Sequence, residues 1–314
     1  MTLPTLLKSL SVLPSRNRLS ILIYHQVLER KDPLRPSEPS VAEFTRQMQL
    51  VSRYLHPLPL ARAVELLQAG RLPGNAVAIT FDDGYCNNLQ RAAPVLARLG
   101  IPATFFVTTG FMHGAMWNDQ LIELVRHCQG RTLDLDRLAQ APVVLDSTAA
   151  CLQAIQNLLG QLKHRPWQER RELATALLGD HGLRPLQGLM MDAPQIRELH
   201  RLGFEIGGHT HDHPILAVQS AAEQRDQIAI NKEQLEVIIG EPLRGFAYPN
   251  GRPHADFNDE SVSAVRELGF RYAVTTAKGV SRPNTDPCRL HRFTPWNRQM
   301  GKFYLRFMQN VVRG

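Results

Sequence analysis

Along this chain, short runs of consecutive apolar residues alternate with longer stretches in which apolar positions recur every three or four residues. The runs lie at residues 20–24, 77–81, 103–107, 204–207, 245–248 and 272–275. They are rich in β-branched and aromatic residues and bounded by turn formers, which predicts strands buried on both faces. The periodic stretches carry helix punctuation. Ser40 and Glu43 have capping-box spacing ahead of Phe44, Met48, Val51 and Leu55. A stretch over 89–99 stops at Gly100, with Pro94 inside it predicting a kink or a late start. Asp192 precedes Ile196, Leu199 and Leu202, with Gly203 as the stop. Ser220 and Glu223 open a further helix that runs to Ile239 and Gly240.

Strand and helix in alternation imply parallel strands joined by helical crossovers, as an open doubly wound sheet or a barrel. No G-x-G-x-x-G follows a strand, so a dinucleotide-binding fold has no support. Residues 117–189 break the alternation and read as a helical insertion between two strands rather than a domain of its own. Its clearest helices lie over 121–128, 149–162 and 167–178. The expected division is a tail at 1–18, a main domain over 19–296 and a second tail at 297–314.

Composition adds modest constraints. The 314 residues are 43% hydrophobic and 21% charged, enough to bury a core. The net charge of +7 is spread out, with no run of five or six basic residues. A solvated basic surface is expected, with no nucleic-acid partner. Cys86, Cys128, Cys151 and Cys288 are far apart and form no C-x-x-C pair, which argues for reduced thiols. The apolar N-terminus is broken by Pro4, Lys8 and Pro14, so no signal peptide is expected and the location reads as cytoplasmic. Residues 3–13 are compatible with a membrane surface, although packing against the domain is the simpler reading.

Chemistry enters at the strand ends. The strand over 76–81 runs into Asp82, Asp83 and Gly84. Adjacent residues on an extended chain point to opposite sides, so one carboxylate can bind a metal while the other faces substrate. The strand over 204–207 is followed by His209, Thr210, His211, Asp212 and His213. If that segment is helical, His209 and His213 share a face at the spacing of paired metal ligands. If it is extended, His211 joins them. A third strand ends in Tyr248, Pro249, Asn250 and Gly251, a turn whose backbone N–H groups could stabilise an oxyanion. One carboxylate and two imidazoles suit Zn²⁺ or a similar divalent ion. A second carboxylate left over to accept a proton completes a kit for hydrolysing an amide or ester. No G-x-S-x-G is present.

These residues resemble the polysaccharide deacetylase family, also called the NodB homology domain or carbohydrate esterase family 4. Thr80-Phe81-Asp82-Asp83-Gly84 is similar to the family's T-F-D-D-G, and His209-Thr210-x-x-His213 to its H-[ST]-x-x-H. Tyr24-His25-Gln26-Val27 and Phe246-Ala247-Tyr248-Pro249 resemble further elements, the latter the F-A-Y-P form of one branch. The resemblance implies an irregular, incomplete (β/α) barrel. It implies a metal held by Asp83, His209 and His213, with Zn²⁺ first and Co²⁺, Ni²⁺ or Mn²⁺ as alternatives. It also implies Asp82 as general base, the Asn250 N–H at the oxyanion, and removal of acetyl groups from an N-acetylated saccharide of a cell envelope or exopolysaccharide. His25, Tyr85, Trp117, Tyr248 and Pro249 are expected to contact substrate, with Asp119 and Trp296 as further candidates to wall the sugar site. The chain departs from the family pattern in three places, the first being Asn250 after Pro249, where many members have an aromatic residue. Ala247 stands where many members carry an arginine that orients the catalytic aspartate. Arg289-Leu290-His291-Arg292 replaces the usual Leu-x-x-His. That leaves His291, His25 or His211 as the general acid, and Arg292 as a structural or orienting charge. Rival readings are an amidohydrolase for a non-sugar C–N bond and an inactive carbohydrate-binding homologue.

Overall fold

The computed structural model describes residues 15–294 and 300–313. Trp296 and residues 3–13 lie outside the described residues. The chain divides into two compact units.

The first unit comprises the chain up to Arg30, Ser37–Gly110 and Met191 onward. Its strands are β1 (Ser20–Tyr24), β2 (His56–Pro57), β3 (Ala76–Phe81) and β4 (Ala103–Val107), with three more after the second unit. In the second unit, β5 (Thr132–Leu133) and β6 (Val143–Val144) form a small antiparallel hairpin. The first unit then resumes with β7 (Glu205–Gly208), β8 (Gly245–Ala247) and β9 (Tyr272–Val274). Its large sheet runs β1-β3-β4-β7-β8-β9, with β2 beside β3, and every pair is parallel. The order never reverses, so the doubly wound alternative is excluded and the sheet curls as a barrel wall. Every residue of β1, β3 and β4 is buried, as two covered faces require. Between β9 and β1 the wall is completed without a regular strand. Leu290 bridges Val274 and Phe293 bridges Leu22, so residues 290–293 form an irregular last stave.

The helices are α1 (Val41–Tyr54), α2 (Leu60–Gln68), α3 (Ala93–Leu99), α4 (Trp117–His127), α5 (Thr148–Leu162), α6 (Trp167–Asp180), α7 (Ala193–Arg201), α8 (Ala221–Ile239), α9 (Asp259–Glu267) and α10 (Met300–Arg313). The capping boxes at Ser40, Asp192 and Ser220 are all formed. Pro94 acts as a late start: a π-helical turn, Asn88–Ala92, precedes α3 and places the proline in the first turn, where its missing N–H costs nothing. The residues expected to form a C-terminal tail instead make α10. Phe303, Tyr304, Phe307, Met308 and Val311 are buried, and the Tyr304 ring meets Tyr54 edge-on at 6.0 Å.

The second unit comprises Lys31–Pro36 and Phe111–Met190. The insertion is thus a compact unit with its own core, built from α4, α5, α6 and the hairpin, and Leu34 packs within it. Arg35 ties Lys31–Pro36 to α4 through Asp119 at 2.6 Å and Glu123 at 3.2 Å.

Candidate functional site

The Asp82–Asp83 pair sits where β3 ends. Asp82 N–H still donates to the Tyr24 carbonyl of β1, so the ladder reaches that residue. The backbone then turns sharply, with Asp83 at φ 76° and Gly84 at φ 91°. Gly84 is required there twice over. Its φ disfavours a side chain, and a Cβ would lie 2.8 Å from Val107 Cγ1. Thr108, just past β4, pins the turn by donating its hydroxyl to the Asp83 carbonyl at 2.8 Å.

The two carboxylates have different surroundings. Asp82 is gripped by Arg292, whose two terminal nitrogens each donate to one carboxylate oxygen at 2.7 Å. Both residues are buried, and Arg292 Nε donates to the Thr275 carbonyl. Burial alone would raise the Asp82 pKa, but the guanidinium, with His209, holds it below the ordinary value. Ala247 is fully buried at the position where the family pattern has arginine. The orienting charge comes instead from the last stave.

The histidine loop is neither helical nor extended. Thr210 at φ 62° and His213 at φ 50° turn the backbone back on itself, so the loop adopts neither of the two conformations weighed for it. The result still brings His209 and His213 together, with rings 5.0 Å apart and inclined by 66°. His209 Nε2 lies 3.4 Å and His213 Nε2 3.5 Å from Asp83 Oδ1. The three donor atoms all fall within 4.8 Å of one another. Those separations are long for hydrogen bonds, but donors held about 2.1 Å from a shared tetrahedral ion stand about 3.4 Å apart. His209 Nδ1 lies 2.7 Å from the Ala247 carbonyl. Since the carbonyl can only accept, Nδ1 carries the proton and Nε2 keeps its lone pair toward Asp83. The donor set therefore fits a divalent cation of the zinc class. Burial opposes ionisation of Asp83, yet the surrounding imidazoles of His209, His25 and His213 hold it far below the usual carboxylate range. His211 turns away, its Nδ1 lying 2.8 Å from the Thr109 hydroxyl.

His25 follows β1, one residue beyond the Tyr24↔Phe81 pair, and is partly exposed. Burial disfavours its imidazolium, but Asp83, Glu38 and Asp82 outweigh that and raise its pKa. His291 is placed differently. The inward direction in its segment belongs to Arg292, and His291 Nδ1 lies 3.2 Å from the Val280 carbonyl. Among the described residues, no hydrogen bond or ion pair joins it to the carboxylates. At the third strand end, Asn250 at φ 58° and Gly251 at φ 70° form a turn, pinned by the Thr276 hydroxyl on the Asn250 carbonyl at 2.7 Å. Tyr248 is fully buried: its ring stacks on Phe257 at 3.9 Å and its hydroxyl donates to the Cys288 carbonyl. Tyr85 and Pro249 are buried as well. Trp117 belongs to the core of the second unit, with the Arg170 guanidinium 4.8 Å above its ring, and Asp119 is spent on Arg35.

A family model described as polysaccharide deacetylase matches residues 69–273. The Bacillus subtilis (strain 168) protein YxkH is 23% identical over 277 residues, covering 88% of this chain and 70% of that protein. Among solved structures, the Streptococcus pyogenes deacetylase PplD in complex with acetate aligns with a TM-score of 0.61 at 18% identity, over 93% of this chain and 98% of that one. IcaB from Ammonifex degensii aligns with a TM-score of 0.59 at 21% identity, over 94% and 97%. At these identities the structural likeness concerns the fold.

Proposed function

The chain belongs to the polysaccharide deacetylase family, and we propose that it is a metal-dependent hydrolase removing acetyl groups from N-acetylated sugars of a cell-envelope polymer or exopolysaccharide. The observation that carries this reading is the convergence of Asp83, His209 and His213 beside a second carboxylate, Asp82, held ready by Arg292.

Asp83, His209 and His213 would hold the cation. When bound, it would polarise the acetamide carbonyl and make a water molecule more acidic. Asp82 accepts a proton from that water as its oxygen attacks the carbonyl carbon. Arg292 keeps Asp82 ionised and fixes the direction its oxygens face. The Asn250 N–H, presented by its left-handed turn, supports the developing oxyanion. His25 gives a proton to the sugar nitrogen as the C–N bond breaks, leaving acetate and a free amine. Its place next to Asp82 supports that role over His291.

The test is acetate release from an acetylated chitooligosaccharide. Wild type is expected to turn over, and chelator is expected to abolish the activity until metal is restored. Asp82→Asn should lose about 10²-fold or more while binding metal as before. Activity that survives both chelation and Asp82→Asn would refute the proposal.

A further inference from the structure

The loop that carries two of the three metal donors has almost no sheet to hold it. The β4–β7 ladder ends at Val107↔Gly208, and β7 meets β8 at the single pair Gly208↔Phe246. His209 begins just where that pairing stops. Its N–H is nonetheless engaged, by a helix rather than a strand. Asn231 of α8 accepts the His209 N–H on Oδ1 at 2.9 Å and donates from Nδ2 to the Val107 carbonyl at 2.9 Å. A side-chain amide thus takes the place of one rung between two diverging strands. Gly208 makes room for it, since a Cβ at that position would lie 2.8 Å from Asn231 Oδ1. The same Nδ2 also reaches the Thr109 hydroxyl at 3.3 Å, the group that faces His211.

One turn earlier on the same helix face, Gln227 serves the next part of the loop. Its carbonyl accepts from His211 N–H, its Oε1 accepts from Asp212 N–H at 2.8 Å, and its Nε2 donates to Asp212 Oδ2 at 3.0 Å. Both amides are buried. Buried amides left unpaired are costly, so this face of α8 and the loop specify each other.

We infer that Asn231 is a positioning residue, whose carboxamide fixes the His209 backbone against the end of β4 and so sets where His209 presents Nε2 to a metal. The inference rests on the metal-site reading above. Asn231 fixes the backbone of His209 while the Ala247 carbonyl fixes its ring, and together they leave the imidazole little freedom. Partners of this kind typically change metal affinity by about 10–100-fold when removed.

The experiment measures Zn²⁺ affinity by competition with a chelating dye, and the visible spectrum of the Co²⁺-loaded protein. Wild type is compared with Asn231→Asp and Gln224→Ala. Asn231→Asp keeps the size and the acceptor for His209 but sets an oxygen against the Val107 carbonyl. Gln224→Ala removes another buried amide of α8, one that accepts from Ser261 and donates to the Gln219 carbonyl rather than to residues 209–213. Asn231→Asp is expected to bind Zn²⁺ about 10-fold or more weakly and to show altered Co²⁺ ligand-field bands, while Gln224→Ala keeps both at wild-type values. The inference falls if Asn231→Asp keeps wild-type affinity and spectrum. It falls equally if Gln224→Ala weakens metal as much, because general loosening would then explain the effect. A wild type that binds no metal would instead overturn the metal reading beneath it.

Discussion

Removing the Arg292 guanidinium would leave the Asp82 carboxylate in a dry site with its charge uncompensated. Arg292→Ala is therefore expected to cost about 3–5 kcal/mol of stability and most of the activity, read by thermal melting and acetate release. Arg292→Lys keeps a charge but lacks the planar fork that meets both oxygens, so it should fall between the two. Glu205 poses a different electrostatic question. Its carboxylate accepts from Tyr272 and Thr104 at 2.7 and 2.8 Å, yet burial outweighs those bonds and raises its pKa above 4.5. The folded state thus favours the protonated form. The resulting stabilisation is complete below the unfolded value and is lost as pH rises through the higher folded value. Glu205→Gln should flatten that part of the profile, checked by melting temperatures between about pH 4 and 7.

At the scale of elements, the turn after β3 is the most constrained piece of backbone. Gly84→Ala forces a methyl group against Val107 at a φ of +91°. It should displace Asp83 and weaken Zn²⁺ binding. Adding Val107→Ala should recover the binding only in part, because it relieves the clash and not the strained backbone. The same element shows what the sequence could reveal. All six strands predicted from apolar runs exist, because burial on two faces leaves an unmistakable run. Asp82, Asp83, His209 and His213 were legible because each follows such a strand. The loop conformation was not, since positive φ at Thr210 and His213 has no glycine to announce it. Asn231 and Gln227 were missed for a related reason. Two amides spaced by four residues on a long polar helix look like a solvated face until the loop they hold is in view. Tyr248 and Trp117, attractive as sugar platforms, are aromatic residues claimed by the two cores.

For the whole molecule, the division into two units means that stability and chemistry can be perturbed separately. Asp119 has no solvent exposure and meets Arg35 within the second unit. Arg35→Ala should destabilise that unit by about 3–5 kcal/mol. With Trp296 replaced by Phe, the remaining tryptophans, Trp117 and Trp167, both report on it through fluorescence. Zn²⁺ affinity should be unaffected, because every donor belongs to the first unit. Among the described residues, no helix is long and apolar enough to cross a membrane.

The irregular last stave also has a bearing on how the protein comes into being. Asp82 leaves the ribosome 210 residues ahead of Arg292. A nascent chain therefore displays Asp83, His209 and His213 before Arg292, the residue that grips Asp82, has been made.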